Sequence, residues 1–481
     1  MTTIKLDPGA ALLLDALHGA GHAAYAVGGC VRDSLLGLAP HDWDLCTSAR
    51  PEQVMALFGE EKCIPTGLQH GTVTVKQGGR LYETTTFRTE GAYSDGRHPD
   101  AVCFVPDVRE DLARRDFTIN AMAYSAEEGL IDPFVGRDDL AAHLVRAVGE
   151  PERRFEEDAL RILRLYRFAA RFGFAIDPAT GAAARALGPH LDCVSAERIQ
   201  EELLKLLAAP RPGSYLEPAV LAVILPELEP EKQPERFAEL CRTIDRIEPT
   251  AENVPARLAA LLCPLGEAGA RKALRKLKCS NALTDEVTTL VGGSVGSFLL
   301  GHEFELRHPA DALCLERHSH PAGRCPNSNS LFPPQAAVVA VAGHSIARPI
   351  ACGNRVPPQR TVLGETPGTP NTTLTVQAKR LLGRYELPTI QRMTALCSAR
   401  HPEQAVAFAA LRAEAEQLTA ENACCRVSQL AVNGRDLMAA GVRPGPGLRQ
   451  VLNALLEAVI TGQTPNEKDA LLAAAAQFSA S

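Results

Sequence analysis

The stretch Gly28-Gly29-Cys30-Val31-Arg32-Asp33, followed by His41-Asp42-Trp43-Asp44-Leu45, decides the fold of the amino-terminal part of this chain. The apolar run before Gly28 predicts a buried strand, and the residues after Gly29 are typical of a short helix. A glycine pair at such a strand-to-helix turn lets backbone N–H groups approach a phosphate. We therefore expect a phosphate-binding turn at Gly28 and Gly29.

Asp42 and Asp44 stand two residues apart on a segment that we expect to be extended. Alternate side chains of a strand share a face, so both carboxylates point the same way and Trp43 points the other way. Paired carboxylates are hard oxygen ligands for Mg²⁺, and Glu83 on a later strand is a possible third carboxylate, as ligand or base. An isolated Asp-x-Asp is usually a solvated strand edge, but after the glycine turn it indicates nucleotidyl transfer.

Composition limits the class of protein. The chain has 481 residues, of which 46% are hydrophobic and 22% charged, as in globular proteins of several domains. The formal net charge of −7 means that a nucleic-acid site has to be a local basic surface. Fourteen cysteines without metal-ligand spacing, and no apolar run of membrane-spanning length, favour a cytoplasmic protein with free thiols. The oligomeric state is not predicted.

The fold class that these patterns predict is α+β, with a mixed-sheet amino-terminal head followed by an all-α remainder. The short gaps between the later strands favour antiparallel neighbours. After about residue 145 helical periodicity dominates and includes one continuous helix over 153–172, while Thr89–Asp100 reads as a loop. In the head, strands are predicted at 23–29, 43–47, 71–76, 81–88 and 101–105, and helices at 31–38 and 51–58.

One segment departs from this pattern. From about Arg307 to Thr373 the chain is rich in Pro, Gly, His, Ser, Asn and Cys and poor in Glu and Lys. A structureless stretch of that length is improbable inside a compact domain. Two interpretations stay open, a disordered insertion or a frame error in the coding sequence.

A second motif is Arg114-Arg115-Asp116-Phe117-Thr118-Ile119-Asn120. Its two arginines provide fork-shaped donors that suit phosphate oxygens or a ribose hydroxyl. Asp116 can accept from a ribose hydroxyl or orient one of those arginines. A capped helix with a basic entry is the alternative for an isolated match.

A third motif is Glu157-Asp158-Ala159-Leu160-Arg161. Asp158 and Arg161 are three residues apart and are therefore expected to be neighbours on one helix face. Such a pair is commonly a helix-supporting salt bridge. Alternatively, the carboxylate accepts from an exocyclic amine and the guanidinium donates to a ring nitrogen, which reads the Watson–Crick edge of cytosine or adenine.

In this order and spacing the three motifs resemble the class II tRNA nucleotidyltransferase and bacterial poly(A) polymerase family of the polymerase-β-like nucleotidyltransferases. The resemblance is dense over about residues 20–210, weaker over about 376–471, and absent over about 307–373. It implies a catalytic head at 1–145, a base-recognising neck at 146–210, a body at 211–306, the atypical segment at 307–375, and a tRNA-binding tail at 376–481.

The resemblance also implies residue roles. The family's metal carboxylates correspond to Asp42 and Asp44, with Glu83 as a further catalytic candidate from the strand pattern. The nucleotide contacts are expected from Gly28, Gly29 and Arg32 for the triphosphate, Arg114, Arg115, Asp116 and Asn120 for ribose and phosphate, and Asp158, Arg161 and Arg164 for the base.

Two features resemble CCA-adding members: His70-Gly71-Thr72-Val73 and the loop at Thr89–Asp100. We therefore expect untemplated addition of CCA to the tRNA 3′ end from CTP and ATP, by two-Mg²⁺ attack of the terminal hydroxyl on the α-phosphate. A poly(A) polymerase, an A-only or CC-only enzyme, and an inactive RNA-binding homologue are the alternatives. Val135 stands where a glycine is more usual in the family.

Overall fold

The computed structural model describes residues 3–90, 102–294 and 373–478. They form two compact units, one of the described residues up to 294 together with 373–426, and the other of those from 427 to 478. The described residues of the predicted head, neck and body belong to the first unit, whereas the predicted tail is divided between the two units at Arg426. The boundaries at residues 145, 210 and 306 stay predictions.

The head is built on a mixed sheet. Its strands, together with four short strands outside that sheet, are β1 (Ala24–Val27), β2 (Leu45–Thr47), β3 (Cys63–Gly67), β4 (Thr72–Gln77), β5 (Arg80–Thr86), β6 (Arg88–Glu90), β7 (Val102–Phe104), β8 (Ala123–Ser125), β9 (Gly129–Ile131), β10 (Leu144–Val145) and β11 (Ala175–Ile176). Seven of the described strands pair in the order β3-β4-β5-β2-β1-β8-β9. All four residues of β1 are buried, which suits an apolar strand with a neighbour on each side.

The pairing in this sheet confirms the predicted α+β class. β4 and β5 are antiparallel neighbours, as their short connection predicts, while β2 runs parallel to β5. The strand predicted over 43–47 begins later, at Leu45, and the one predicted over 81–88 is divided into β5 and β6. β3, β8 and β9 were not predicted, because they are short and contain glycine or polar residues.

Five helices accompany the sheet. They are α1 (Pro8–Gly19), α2 (Gly29–Leu35), α3 (Pro51–Phe58), α4 (Val108–Ala113) and α5 (Gly136–Ala141). α3 has the predicted bounds, and α2 lies two to three residues earlier than predicted. α1 was not predicted, although Asp7 caps it by accepting from the N–H groups of Gly9 and Ala10, and Pro8 occupies the first helical position.

The rest of the first unit is helical, as expected, except for the two-residue strand β11, which pairs with β10. Its helices are α6 (Pro151–Glu157), α7 (Leu160–Phe172), α8 (Pro178–Ala186), α9 (Ala196–Leu207), α10 (Pro218–Ile224), α11 (Pro234–Arg246), α12 (Val254–Leu262), α13 (Gly266–Lys276), α14 (Asn281–Ser294), α15 (Thr373–Arg384), α16 (Leu387–Arg400) and α17 (Ala405–Ala420). The prediction of one helix over 153–172 was wrong. Asp158 has φ −149° and ψ 102°, so an extended residue separates α6 from α7.

The second unit contains three helices, α18 (Gly434–Ala439), α19 (Pro446–Ile460) and α20 (Lys468–Phe478). Asn433 caps α18 by accepting from the N–H groups of Arg435 and Asp436. Lys468 Nζ lies 2.6 Å from the Asp436 carboxylate, which joins the start of α20 to α18.

Two predictions concern residues that mostly lie outside the described part of the chain. One is the loop at Thr89–Asp100, of which only Thr89 and Glu90 are described, in β6. The other is the atypical segment at 307–375, of which only 373–375 are described, at the start of α15. Among the described helices, none combines the length and the apolar character needed to cross a bilayer.

Candidate active site

Asp42 and Asp44 lie on the extended segment that leads into β2. The Val27 N–H of β1 donates to the Asp44 carbonyl at 3.0 Å, so the sheet hydrogen bonding continues to Asp44. Both aspartates are exposed, whereas Trp43 between them is buried and shows 7% of its surface. The two carboxylates therefore lie on the open side of the segment and the indole on the core side.

Glu83 joins this pair across the sheet. The parallel register aligns Leu45 with Thr84, which places Glu83 beside Asp44 on the neighbouring strand. Although the Asp44 side chain is open to the solvent on one side, the protein packed around it removes water from the carboxyl and raises its pKa to about 6; the charges of Glu83 and Asp42 add to the rise, and Arg115 opposes it. Repulsion among carboxylates is a condition that a divalent cation relieves. In the described part of the chain, no group of three or more His, Cys, Asp or Glu forms a metal-binding cluster by itself.

The turn after β1 requires glycine at position 28. Gly28 has φ 76° and ψ −122°, a combination that residues with a side chain rarely adopt. A Cβ there would lie 2.8 Å from Arg115 Nη1. The Gly28 N–H donates to the Met122 carbonyl at 3.1 Å, and α2 begins at the next residue. The absence of a side chain at Gly28 therefore lets the backbone lie directly against Arg115.

Arg32 is buried beneath this turn. Its Nε donates to Asp33 at 2.8 Å, and its Nη1 donates to the side-chain oxygen of Asn120. The guanidinium also lies 5.2 Å and 4.9 Å from the ring centroids of Phe168 and Phe172 on α7. These contacts join α2 to the second motif and to α7, so Arg32 holds the turn in place in addition to lining the cleft described below.

Arg114 and Arg115 share one buried carboxylate, that of Asp111 on α4. Arg114 Nε lies 3.0 Å and Arg115 Nη2 3.3 Å from its two oxygens. Burial works to raise the pKa of Asp111, but the two arginines outweigh it and hold that pKa below its usual range. Asp111 therefore remains charged and orients both guanidiniums, a role that was not predicted from the sequence.

Asp116 orients an arginine, but that arginine is Arg164 of α7 and not one of its own motif. Arg164 donates to Asp116 Oδ2 from Nε at 2.9 Å and from Nη2 at 2.6 Å, while Asn120 donates to Oδ1 at 3.0 Å. Burial opposes ionisation of Asp116, yet Arg164 and Asn120 hold its pKa well below the usual range. The second motif is thereby bonded to the helix that carries the third.

The prediction that Asp158 and Arg161 share one helix face is wrong. Asp158 stands in the break before α7, where its Oδ1 accepts from the Leu160 N–H at 3.1 Å, and both of its oxygens accept from Arg198 of α9. A carboxylate in a helix break does not share a helix face with the residue three positions later.

Arg161 pairs elsewhere. Its Nη1 donates to Glu157 Oε2 at 2.7 Å and to the Arg154 carbonyl at 3.2 Å, and its Nη2 donates to the Arg114 carbonyl at 3.1 Å. Within the described residues, these three bonds use three of the five guanidinium N–H groups. Two N–H groups of Arg161 are therefore left to donate to a ligand.

Most of these groups line one open cleft of about 1040 Å³, a volume that includes the solvent at its mouth, whereas Asp42, Glu83 and Asp111 lie outside its described lining. Because arginines outnumber acids there, the cleft is positively charged in a chain whose net charge is −7. Its described lining contains eight arginines and three aspartates, namely Arg32, Arg114, Arg115, Arg161, Arg164, Arg167, Arg171, Arg198, Asp44, Asp116 and Asp158.

Five lining residues were not assigned a role from the sequence: Arg167, Phe168, Arg171, Arg198 and Leu160. The spacing of three and four residues from Arg164 to Arg171 marks one face of a helix and could have indicated the first three. Arg198 has no such signal, because it lies 40 residues from its partner Asp158.

A mixed-sheet head with neighbouring carboxylates beside an arginine-rich cleft is typical of a nucleotidyltransferase. Three family profiles match the chain: the Poly A polymerase head domain over residues 24–146, the probable RNA and SrmB-binding site of polymerase A over 173–232, and the putative tRNA nucleotidyltransferase domain 2 over 379–475.

Sequence relatives narrow this class. The CCA-adding enzyme of Lactiplantibacillus plantarum is 32% identical over 462 residues, which are 96% of this chain and 93% of that enzyme. The CCA-adding enzyme of Leuconostoc citreum is 45% identical over 257 residues, which are 53% of this chain and 63% of that enzyme. The chain therefore belongs to the CCA-adding enzyme family.

Solved structures agree with this assignment. The Bacillus stearothermophilus CCA-adding enzyme in complex with CTP superimposes with a TM-score of 0.68 at 29% identity and covers 98% of both chains. The Thermotoga maritima CCA-adding enzyme complexed with tRNA has a TM-score of 0.61 at 19% identity, covers 98% of this chain and 96% of that one, and supports the fold alone.

Proposed function

We propose that this chain adds cytidine, cytidine and adenosine to the 3′ end of tRNA, using CTP and ATP and no nucleic-acid template. The observation that carries the proposal is the position of the arginine cleft beside Asp44, in a chain that belongs to the CCA-adding enzyme family. An anionic triphosphate fits that charge excess, and its α-phosphate would lie near the carboxylates.

Asp42 and Asp44 would hold Mg²⁺, with Glu83 as a further ligand or as a base for the attacking hydroxyl. The raised pKa of Asp44 beside two other acids supports this fit, because a divalent cation stabilises the ionised forms of all three. When bound, Mg²⁺ activates the terminal hydroxyl and neutralises charge that develops on the phosphate oxygens.

The protein's own groups bind and orient the nucleotide. We assign the triphosphate to the turn at Gly28 and Gly29 with Arg32, and the ribose and nearest phosphate to Arg114 and Arg115. Asp116 and Asn120 support this ribose and phosphate contact through their hydrogen bond to each other and the bond of Asp116 to Arg164. The tRNA hydroxyl attacks the α-phosphate in line, and pyrophosphate leaves.

We assign base recognition to Asp158, Arg161 and Arg164. Asp158 accepts from the exocyclic amine that cytosine and adenine share, and Arg161 donates through the N–H groups that Glu157 and the two carbonyls leave available. A uracil or guanine presents a carbonyl in place of the amine. It would leave buried polar groups unpaired, so its rejection is strong.

The reaction is tested by incubating the full-length protein with tRNA that lacks its 3′ end, labelled CTP and ATP, and millimolar Mg²⁺. We expect addition of CCA, and no addition by the Asp42→Ala variant. Asp15→Ala is the matched control, because Asp15 is an exposed aspartate of α1 that does not line the cleft. If the Asp42→Ala variant added nucleotides as fast as the wild-type protein, the assignment of Asp42 and Asp44 as the Mg²⁺ ligands would be contradicted.

The same assay separates the other candidates. A poly(A) polymerase, which the description of the head profile also covers, would extend unrelated RNA with ATP alone. Sequencing of products from tRNAs that end before C, CC or CCA identifies an A-only or CC-only enzyme. Binding of tRNA without any addition indicates an inactive homologue.

We place the reaction in the cytoplasm as part of this proposal. Eleven cysteines of the described residues are free thiols, the form that a reducing compartment maintains.

A further inference from the structure

Arg198 and Asp158 form a two-pronged ion pair at the end of the cleft where the base is expected. Arg198 Nη1 lies 3.2 Å from Asp158 Oδ1, and Nη2 lies 2.8 Å from Oδ2. The Arg198 and Asp158 side chains are 21% and 16% exposed, so the pair is mostly shielded while it still lines the cleft. A fork-shaped pair of this kind fixes the plane of the carboxylate.

The hydrogen bonds of Asp158 leave little of its accepting capacity unused. An ionised carboxylate offers about four lone-pair positions. Oδ1 accepts from both the Leu160 N–H and Arg198 Nη1, and Oδ2 accepts from Arg198 Nη2. Among the described residues these bonds occupy both positions of Oδ1 and one position of Oδ2. One acceptor, with a fixed direction, therefore remains for a ligand.

We propose that Arg198 is a positioning residue that sets nucleotide specificity by holding Asp158 so that a single acceptor faces the base. The inference rests on the proposed function and extends it to a residue on α9, outside the three sequence motifs. The remaining acceptor suits the exocyclic amine of cytosine or adenine. The carbonyl of uracil or guanine in that place would face a lone pair.

Removal of Arg198 gives Asp158 rotational freedom. The Leu160 N–H then holds one oxygen only, and the carboxylate can turn away from a carbonyl or take up a water molecule. Discrimination against UTP and GTP should therefore weaken, and the KM for CTP should rise because the amine loses an oriented acceptor. The kcat for CTP should change less, since the reacting phosphate lies at the other end of the nucleotide.

The experiment compares wild-type protein with the Arg198→Met and Arg198→Lys variants in single-nucleotide addition to tRNA that lacks its 3′ end. Relative kcat/KM is measured for CTP, ATP, UTP and GTP. For Arg198→Met we expect the preference for CTP over UTP to fall about tenfold, the order of magnitude of one well-placed hydrogen-bonding contact to a base. Arg198→Lys retains the charge without the fork and should recover part of that preference.

Lys205→Met is the matched control. Lys205 lies on the same helix and forms an ion pair with Glu201 at 2.7 Å, but the pair is exposed and does not line the cleft. This variant should keep wild-type kinetics with every nucleotide. A thermal melt of each variant checks that α9 is intact, and if Arg198→Met does not fold, the comparison of Arg198→Lys with wild type decides.

A double variant tests whether Arg198 acts through Asp158. In an Asp158→Ala background, addition of Arg198→Met should cause no further loss of discrimination. An additional loss would mean that Arg198 contacts the nucleotide or RNA directly, and unchanged selectivity of the single Arg198 variants would also overturn the inference. Absence of CCA addition by the wild-type protein would instead refute the proposed function, so the two failures are distinguishable.

Discussion

Val135 adopts a backbone conformation that suits glycine. It has φ 56° and ψ 30° at the residue before α5, and 55% of its surface is exposed. A β-branched side chain is strained in the left-handed region, since its Cβ crowds the backbone. The family resemblance implies glycine at this position, and the dihedral angles supply the physical reason.

Replacement of Val135 by glycine should stabilise the protein. The strain is relieved and little packing is lost, so we expect the free energy of unfolding to rise by about 1 kcal/mol. Differential scanning calorimetry measures the effect. Val135→Ala keeps a Cβ without the branch, so its melting temperature should lie between those of the wild-type protein and the Val135→Gly variant. A melting temperature of Val135→Gly below that of wild type would refute the strain argument.

Asp44 makes the stability of the metal-free protein depend on pH. Its pKa of about 6 in the folded protein exceeds the ordinary aspartate value of about 3.9. The folded state therefore holds the proton more tightly than the unfolded state. This contribution to stability is present in full below about pH 4 and is lost as the pH rises to about 6 and above.

The Asp44→Asn variant should not lose this stability as the pH rises. In EDTA, its melting temperature relative to wild type should increase between pH 4.5 and pH 7, since the amide has no charge to develop. Mg²⁺ at pH 7 should stabilise the wild-type protein more than the variant. Parallel pH profiles of the two melting temperatures would contradict the assignment of the raised pKa to Asp44.

At the scale of elements, the division between α6 and α7 differs most from expectation. Apolar residues recur at helical spacing through the whole of 153–172, and no proline or glycine interrupts them. The break forms because Asp158, held by Arg198 of α9 and the Leu160 N–H, is extended. A pattern confined to one element does not contain the contact that ends it.

Arg257 of α12 joins two other helices by backbone contacts alone. It is fully buried, and its donors reach the carbonyls of Leu207 at the end of α9, of Ala209 and Pro210 after α9, and of Ile247 after α11. All five of its N–H groups are thereby used, and the carbonyls at these helix ends supply the negative partial charge that a buried cation requires.

Arg257→Met should destabilise the protein by about 3 kcal/mol or more, because several buried carbonyls lose their donors at once. Urea denaturation measures the change. Arg242→Met on α11 is the control, since Arg242 forms an exposed pair with Glu239 and its loss should change stability by about 0.5 kcal/mol or less. Similar midpoints for the two variants would refute the role of Arg257.

At the scale of the whole molecule, the cleft belongs entirely to the first compact unit, because all of its lining residues precede residue 199. A protein that ends at Arg426 should therefore keep the cleft and its affinity for CTP. Addition to tRNA should weaken, since the proposed tRNA-binding tail is shortened. Calorimetric titration with CTP checks the first expectation, and loss of CTP binding by a folded 1–426 protein would contradict it.

The sequence by itself determined the class of the head, the carboxylate pair and the glycine turn. Strand alternation, left-handed turns and helix starts depend on residues within a few positions of one another. Only the tertiary structure decided the partners of the charged groups. Asp158 meets Arg198 across 40 positions, Asp116 meets Arg164 across 48, and Arg32 meets Asn120 across 88. Which of many arginines reaches a given carboxylate depends on how whole helices pack, and local spacing carries no information about that.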